Sequence, residues 1–229
     1  MARPPRTSQR RVFHMRKSGS LILLIVLGAA LALTSCSDNE EPERSAAVTT
    51  VAPSTTATST VNCKAAAAPG VDLHGCNLTG ADFFQKDLTG ANLDGAKLDK
   101  ALLNQAILIG ASLKGASITY AKVESVNFTD ANLEGVDLTG SDTNYSWFIN
   151  ANLDNSDLSY AQVAATNLQG AHAINATATG TGFEFADLTK TDLTGSDLTG
   201  ANFSSTVWSE TICPNGVTQN TECPRTPAG

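Results

Sequence analysis

A solenoid with an apolar interior is the fold class the sequence predicts, on three observations. Large apolar residues recur at every fifth position, as in Leu188, Leu193, Leu198 and Phe203. A small residue stands two places before each of these, namely Ala186, Thr191, Ser196 and Ala201. The register holds without insertion or deletion over 135 residues, from Val71 to Ser205. A period of five suits neither an amphipathic helix, at about 3.6, nor a strand, at about 2. Each repeat is therefore one unit of a stacked array.

The chain, 229 residues long, opens on what reads as an export signal over residues 1–35. Six basic residues (Arg3, Arg6, Arg10, Arg11, Arg16, Lys17) precede a non-polar run from Leu21 to Leu33 that is short for a bilayer span. The run ends in Leu33-Thr34-Ser35-Cys36, which resembles the bacterial lipobox. That resemblance implies cleavage before Cys36 and a lipid on its thiol. Arg10-Arg11-Val12-Phe13 loosely matches a twin-arginine signal, while Met15-Arg16-Lys17 would open a more conventional one. Residues 36–62 are rich in Thr, Ser, Ala and Pro and nearly free of bulky apolar side chains. Such a segment buries too little surface to offset its ordering entropy, so a disordered tether is expected there.

Setting Cys36 aside, four cysteines remain, in two close pairs: Cys63 with Cys76, and Cys213 with Cys223. Each pair brackets one end of the repeats. In an oxidising compartment this reads as two disulfides, each contributing roughly 3 kcal/mol by restricting the unfolded chain. The spacings are not those of a zinc knuckle, and no histidine lies beside the pairs, so no metal is expected.

The repeat has 27 central positions between Leu73 and Phe203, of which 16 are Leu and 5 are Phe. Ile118, Val123 and Val163 also fit, and Thr143, Ala173 and Ala178 do not. The place two before the centre is small in every repeat except at Lys86. An inward lysine in the first coil is expected to snorkel to water. Phe183 is expected to fill part of the space left by Ala173 and Ala178.

Ala81-Asp82-Phe83, Ala91-Asn92-Leu93, Ala131-Asn132-Leu133, Ala151-Asn152-Leu153 and Ala201-Asn202-Phe203 carry a resemblance. They are similar to the Ala-(Asp/Asn)-Leu-x-x motif of pentapeptide-repeat proteins. The resemblance implies an all-β fold, a right-handed four-sided parallel β-helix with one repeat per side and four per coil. At 20 residues per coil, 135 residues make about seven coils. Stacked strands about 4.8 Å apart then give a length of some 30 Å. The expected organisation is a signal peptide (1–35), a lipidated cysteine and tether (36–62), the β-helix (63–210), and a disulfide-closed cap and tail (211–229). The end edges of such a helix need covering, and the disulfide pairs fall where caps belong.

No catalytic constellation appears. The histidines of the repeat region, His74 and His172, fall on outward positions far apart, and neither a nucleophile elbow nor a phosphate loop is present. The expectation is a non-enzymatic protein with no cofactor and no small-molecule substrate. Between Val71 and Glu210 there are 17 acidic and 6 basic residues, a net of −11, which disfavours nucleic acid as a ligand. The family resemblance carries a rival function, since some members are thought to mimic duplex DNA and engage DNA gyrase. An exported chain does not meet a cytoplasmic topoisomerase, and the acidic track Asp137, Asp157 is broken by Thr177 before Asp197. Threonines stacked 20 apart (Thr119, Thr139, Thr179, Thr199) resemble ice-binding arrays in one rank only; cross-strand packing accounts for them.

Outward residues are mostly polar, with one exception near a corner. Leu102, Ile107 and Ile109 lie in one stretch, and Tyr145, Trp147 and Ile149 about two coils further on. Clustered exposed Trp, Tyr and Ile are typical of contact surfaces, so these six form the candidate partner-binding patch. The sequence thus predicts a recognition or scaffold module, lipid-anchored on the outer side of the cytoplasmic membrane or on the outer membrane. Its partner is an unidentified envelope protein or a second copy. A purely structural or surface-shielding lipoprotein is the alternative.

Overall fold

The computed structural model describes residues 61–224. The export signal, Cys36 and the tether as far as residue 60 lie outside the described residues. Backbone contacts divide the chain between Thr55 and Thr56, and every described residue belongs to the second unit.

Parallel bridges join residues 20 apart without a break, from Asp72↔Asn92 to Asp192↔Ile212. Four five-residue sides therefore make one coil. The first side has Leu73, Leu93, Leu113, Leu133, Leu153, Ala173 and Leu193 at its centres, and the second runs from Leu78 to Leu198. The third runs from Phe83 to Phe203, and the fourth carries Leu88, Leu108, Phe128, Phe148, Leu168 and Leu188. All these centres are buried. Rings stack along the axis where phenylalanines coincide, Phe128 on Phe148 at 4.8 Å and Phe183 on Phe203 at 5.1 Å between centroids.

Following the five N–H groups of one repeat explains the local sequence. The group two before the centre closes a turn onto the preceding centre, as in Ala81 N–H to Leu78 O at 2.9 Å. The next donates to the coil before, as in Asn92 to Val71 O, and the centre donates to the coil after, as in Leu73 to Asn92 O. The corner residue also reaches the coil after, as in Gly75 to Asp94 O. Every fifth residue from Gly70 to Glu210 has a positive φ there, between 52° and 72°. Only the N–H just after the centre has no ladder partner, and buried or half-buried donors need one.

Asp and Asn supply it. At all sixteen places where one of them precedes the centre, its Oδ1 accepts from the N–H two residues on, at 2.8–3.3 Å. Four repeats with Ser112, Ser117, Gln162 or His172 at that place borrow an acceptor from the coil before. Lys114, Thr119, Ala164 and Ile174 donate to Oδ1 of Asp94, Asp99, Asn144 and Asp154, at 2.9, 3.3, 2.8 and 2.9 Å. The Asp of the motif is thus a side-chain substitute for a missing backbone acceptor.

The departures from the pattern are accommodated. Lys86 is exposed although its backbone keeps the turn, donating to Phe83 O at 3.0 Å. Thr143 is buried and gives its hydroxyl to Gln162 O at 2.9 Å. Inward hydroxyls behave alike: Thr181 donates to Leu158 O at 2.7 Å and Thr191 to Leu168 O at 2.8 Å, each 23 residues back.

The ends differ from the sequence boundaries. Ladder pairing begins at Asp72, while Val61, Ala65 and Ala67 of the segment before it pack on the core. At the other end the repeats outlast Phe203. Val207 pairs with Asp187 and Ile212 with Asp192, beyond residue 210. Trp208 takes the next central place against Phe203, at 5.0 Å between centroids, and Cys213 takes the one after, fully buried. A short antiparallel pair, β1 (Thr211–Ile212) with β2 (Thr218–Gln219), then turns the chain back. Disulfides join Cys63 to Cys76 and Cys213 to Cys223.

Candidate functional site

The outward rows of the fourth side hold the centre of the candidate surface. Ile107 pairs with Asn127, and Asn127 with Trp147, which puts the isoleucine and tryptophan two coils apart, about 10 Å. Ile107, Ile109 and Trp147 are exposed, Trp147 to 43%, and Ile149 is half-buried. Asn127 and Thr129 lie between them, with the Thr129 N–H tied to Asn127 Oδ1 at 3.0 Å. A strip of four apolar side chains around two polar ones results. Tyr145 stands at the adjoining corner, 63% exposed, with φ +62°.

Leu102 does not share that strip. Its bridge to Lys122 belongs to the third side, around the corner occupied by Gln85 and Gln105, whose amides hydrogen-bond at 2.7 Å. There Leu102 lines an open hollow of about 310 Å³ with Phe84, Asp82, Asn104 and Lys122. The six residues therefore form one strip and one separate hollow, because sides meeting at a corner face different directions. Phe84, exposed beside Leu102, is missing from the sequence-derived patch. Its place directly after the buried Phe83 is the signal that would have found it. Counting likewise reveals the exposed corner aromatics Tyr120, Tyr160 and Phe185.

The electrostatics follow from the same lattice of short side chains. The His74 imidazole, 2.7 Å from Asp72, holds that carboxyl below its usual 3.8. The Thr89 hydroxyl and N–H lower Asp87. Asp99 is lowered chiefly by Ser117, and Asp197 by Thr199. Burial works to raise Asp187, yet hydrogen bonds from Thr189 and Gln169 outweigh it and hold the carboxyl low. Glu124 goes the other way: Asp142 beside it on the third side raises its carboxyl above 4.5. Among the described residues no group of three or more His, Cys, Asp or Glu is placed to hold a metal ion. No helix among them is long and apolar enough to cross a membrane.

Among curated proteins none matches the chain. Several solved structures are similar. HetL, a pentapeptide-repeat protein involved in heterocyst differentiation regulation from the cyanobacterium Nostoc sp. strain PCC 7120, is 31% identical. That match covers 66% of this chain and 73% of HetL, with a TM-score of 0.31. A trypsin-treated variant of QnrB1, a plasmid-mediated fluoroquinolone resistance protein, is 19% identical over 60% of this chain and 82% of its own, with a TM-score of 0.40. Rfr23, a pentapeptide-repeat protein from Cyanothece 51142, is 22% identical over 60% and 90%, with a TM-score of 0.26. The family model for pentapeptide repeats matches eight copies, within residues 70–105, 87–122, 106–142, 144–172 and 166–204. With the 20-residue register and the Asp and Asn acceptors of its repeats, that match over more than half its length makes this chain a member of the pentapeptide-repeat family, whose fold is the right-handed β-helix.

Proposed function

We propose that this chain is a non-enzymatic recognition or scaffold module of the bacterial cell envelope. The lipid on Cys36 holds it to a membrane, the tether gives it reach, and the β-helix, about seven coils closed at both ends by disulfides, presents a rigid surface. The fourth-side strip of Ile107, Ile109, Trp147 and Ile149, with Tyr145 at its edge, takes a protein partner or a second copy. One observation carries this: a tryptophan and three isoleucines lie outward on a side whose other outward residues are mostly Asp, Asn, Thr and Gln. Exposed apolar surface of that kind is costly for a solvated solenoid and characteristic of contact centres. The family is one of structural and binding proteins, which agrees with a role without catalysis.

Two measurements test it. Trp147→Ala with Ile149→Ser is expected to leave the melting temperature within a few degrees of wild type. The same pair should abolish crosslinked partner recovery from the envelope or self-association in sedimentation. If both persist unchanged, the strip is not the contact surface. Cys36→Ala is expected to release the protein from membranes while the β-helix stays folded. Full membrane retention at high salt defeats the lipid anchor.

A further inference from the structure

The corner between the second and third sides carries a feature that neither folding nor the strip explains. Its residues, one per coil, run Gly80, Lys100, Tyr120, Gly140, Tyr160, Gly180 and Gly200. All have a positive φ, 52° at Tyr120 and 58° at Tyr160. That backbone favours glycine or asparagine, and a large side chain there costs about 1–2 kcal/mol, so the corner itself does not call for tyrosine. Nor do the rings serve the core. Tyr120 and Tyr160 are 65% and 66% exposed, and neither phenol hydroxyl bonds to another described residue.

Each ring nevertheless lies close against the following coil. A Cβ at Gly140 would stand 2.6 Å from Tyr120 Cε1 and 2.8 Å from Cδ1; one at Gly180 would stand 2.9 Å from both atoms of Tyr160. The glycine in the following coil thus leaves the hollow that its neighbour's ring occupies. The order Tyr, Gly, Tyr, Gly along one corner yields two exposed rings two coils apart, about 10 Å. Thr139 and Ser159 of the second side and Asp142 and Gln162 of the third flank them, offering hydroxyl, carboxylate and amide groups on both rims.

We propose that this corner binds a neutral β-1,4-linked polysaccharide along the solenoid axis. Aromatic rings pack on the C–H faces of pyranoses through dispersion and weak C–H contacts. A β-1,4 chain turns over at every sugar, so it repeats the same face once per disaccharide, a length that matches the spacing of Tyr120 and Tyr160. An α-1,4 chain curls away and meets one ring at most. The rims supply partners for equatorial hydroxyls. The net charge of −11 over the repeats selects against polyanionic glycans. The site is separate from the fourth-side strip and does not depend on the lipid anchor.

The test is titration calorimetry of the full-length protein with hexamers of β-1,4-linked N-acetylglucosamine, β-1,4-linked glucose and α-1,4-linked glucose. Saturable binding of at least one β-1,4 hexamer is expected, and the α-linked hexamer, which meets one ring at most, should bind at least about tenfold more weakly. The matching disaccharide should bind about tenfold more weakly than the hexamer, since it reaches one ring. Tyr120→Ala and Tyr160→Ala should each weaken hexamer binding by about tenfold, the pair should abolish it, and Phe185→Ala on the next corner should leave it unchanged. Unaltered thermal melting in the variants separates loss of the site from loss of fold. The proposal is overturned by absence of saturable β-1,4 binding, by equal affinity for the α-linked hexamer, or by binding that survives the double substitution.

Discussion

Asp94 accepts hydrogen bonds from Lys114 N–H at 2.9 Å and Ser112 Oγ at 2.5 Å, and so stands in for the Asx that Ser112 replaces in its own repeat. Removing it leaves a backbone donor without its acceptor. Asp94→Ala is expected to cost about 1 kcal/mol. Adding Ser112→Asn restores a local acceptor, so the double variant should regain most of that loss, a coupling that a double-mutant cycle in urea would read. Purely additive effects would mean that the two positions do not share the Lys114 N–H. The presence of Asp or Asn before the centre is visible in the sequence, but its purpose is not. That reason emerges only when the five N–H groups of a repeat are followed to their partners in the coils before and after.

Within a side, adjacent residues lead opposite lives. Phe148 is buried with its ring on Phe128, while Trp147, one residue earlier, faces outward. Phe148→Ala should therefore cost about 3–5 kcal/mol by loss of burial and creation of a cavity. Trp147→Ala should cost no more than about 1 kcal/mol as a surface change. Similar losses in thermal unfolding would refute the inward–outward assignment. The terminal repeats are a further element-scale case. Cys213 fills a central position and is covalently tied to Cys223, so Cys213→Ser with Cys223→Ser should lower stability by about 2–5 kcal/mol and loosen the last coil first. Protection of the Ile212 amide against hydrogen exchange would report it, since that N–H donates to Thr191 O. These last repeats were hidden in the sequence because Trp208 and Cys213 are not the residues that fill the other centres.

At the scale of the whole β-helix, acid stability follows from the carboxylates. Asp72, Asp87, Asp99, Asp187 and Asp197 are held below the ordinary 3.8 in the fold. A lowered folded pKa contributes stability that is complete above the unfolded value and lost as pH falls through the folded one. The melting temperature is accordingly expected to fall at pH below about 4, with little change from pH 5 to 7. Glu124 has the opposite sign. Raised by Asp142, it favours the protonated fold and loses that contribution as pH climbs past its shifted value. Glu124→Gln should raise the melting temperature at pH 7 and have no effect near pH 3. A variant less stable than wild type at pH 7 would contradict the crowding of the two carboxyls.

The sequence by itself determined the register of the solenoid, the inward positions and the two cysteine pairs. These are legible because a five-residue side with one large inward residue repeats strictly, and a single slip would expose every centre downstream. The tertiary structure decided which outward residues become neighbours. Ile107 and Trp147 meet because bridges run 20 apart, Leu102 is turned aside with Phe84 because a corner intervenes, and Tyr120 rests where Gly140 leaves room. Inward positions share one environment, so their chemistry recurs in the sequence. Outward positions are constrained only by neighbours a coil away or across a corner, and those neighbours exist only in the folded chain.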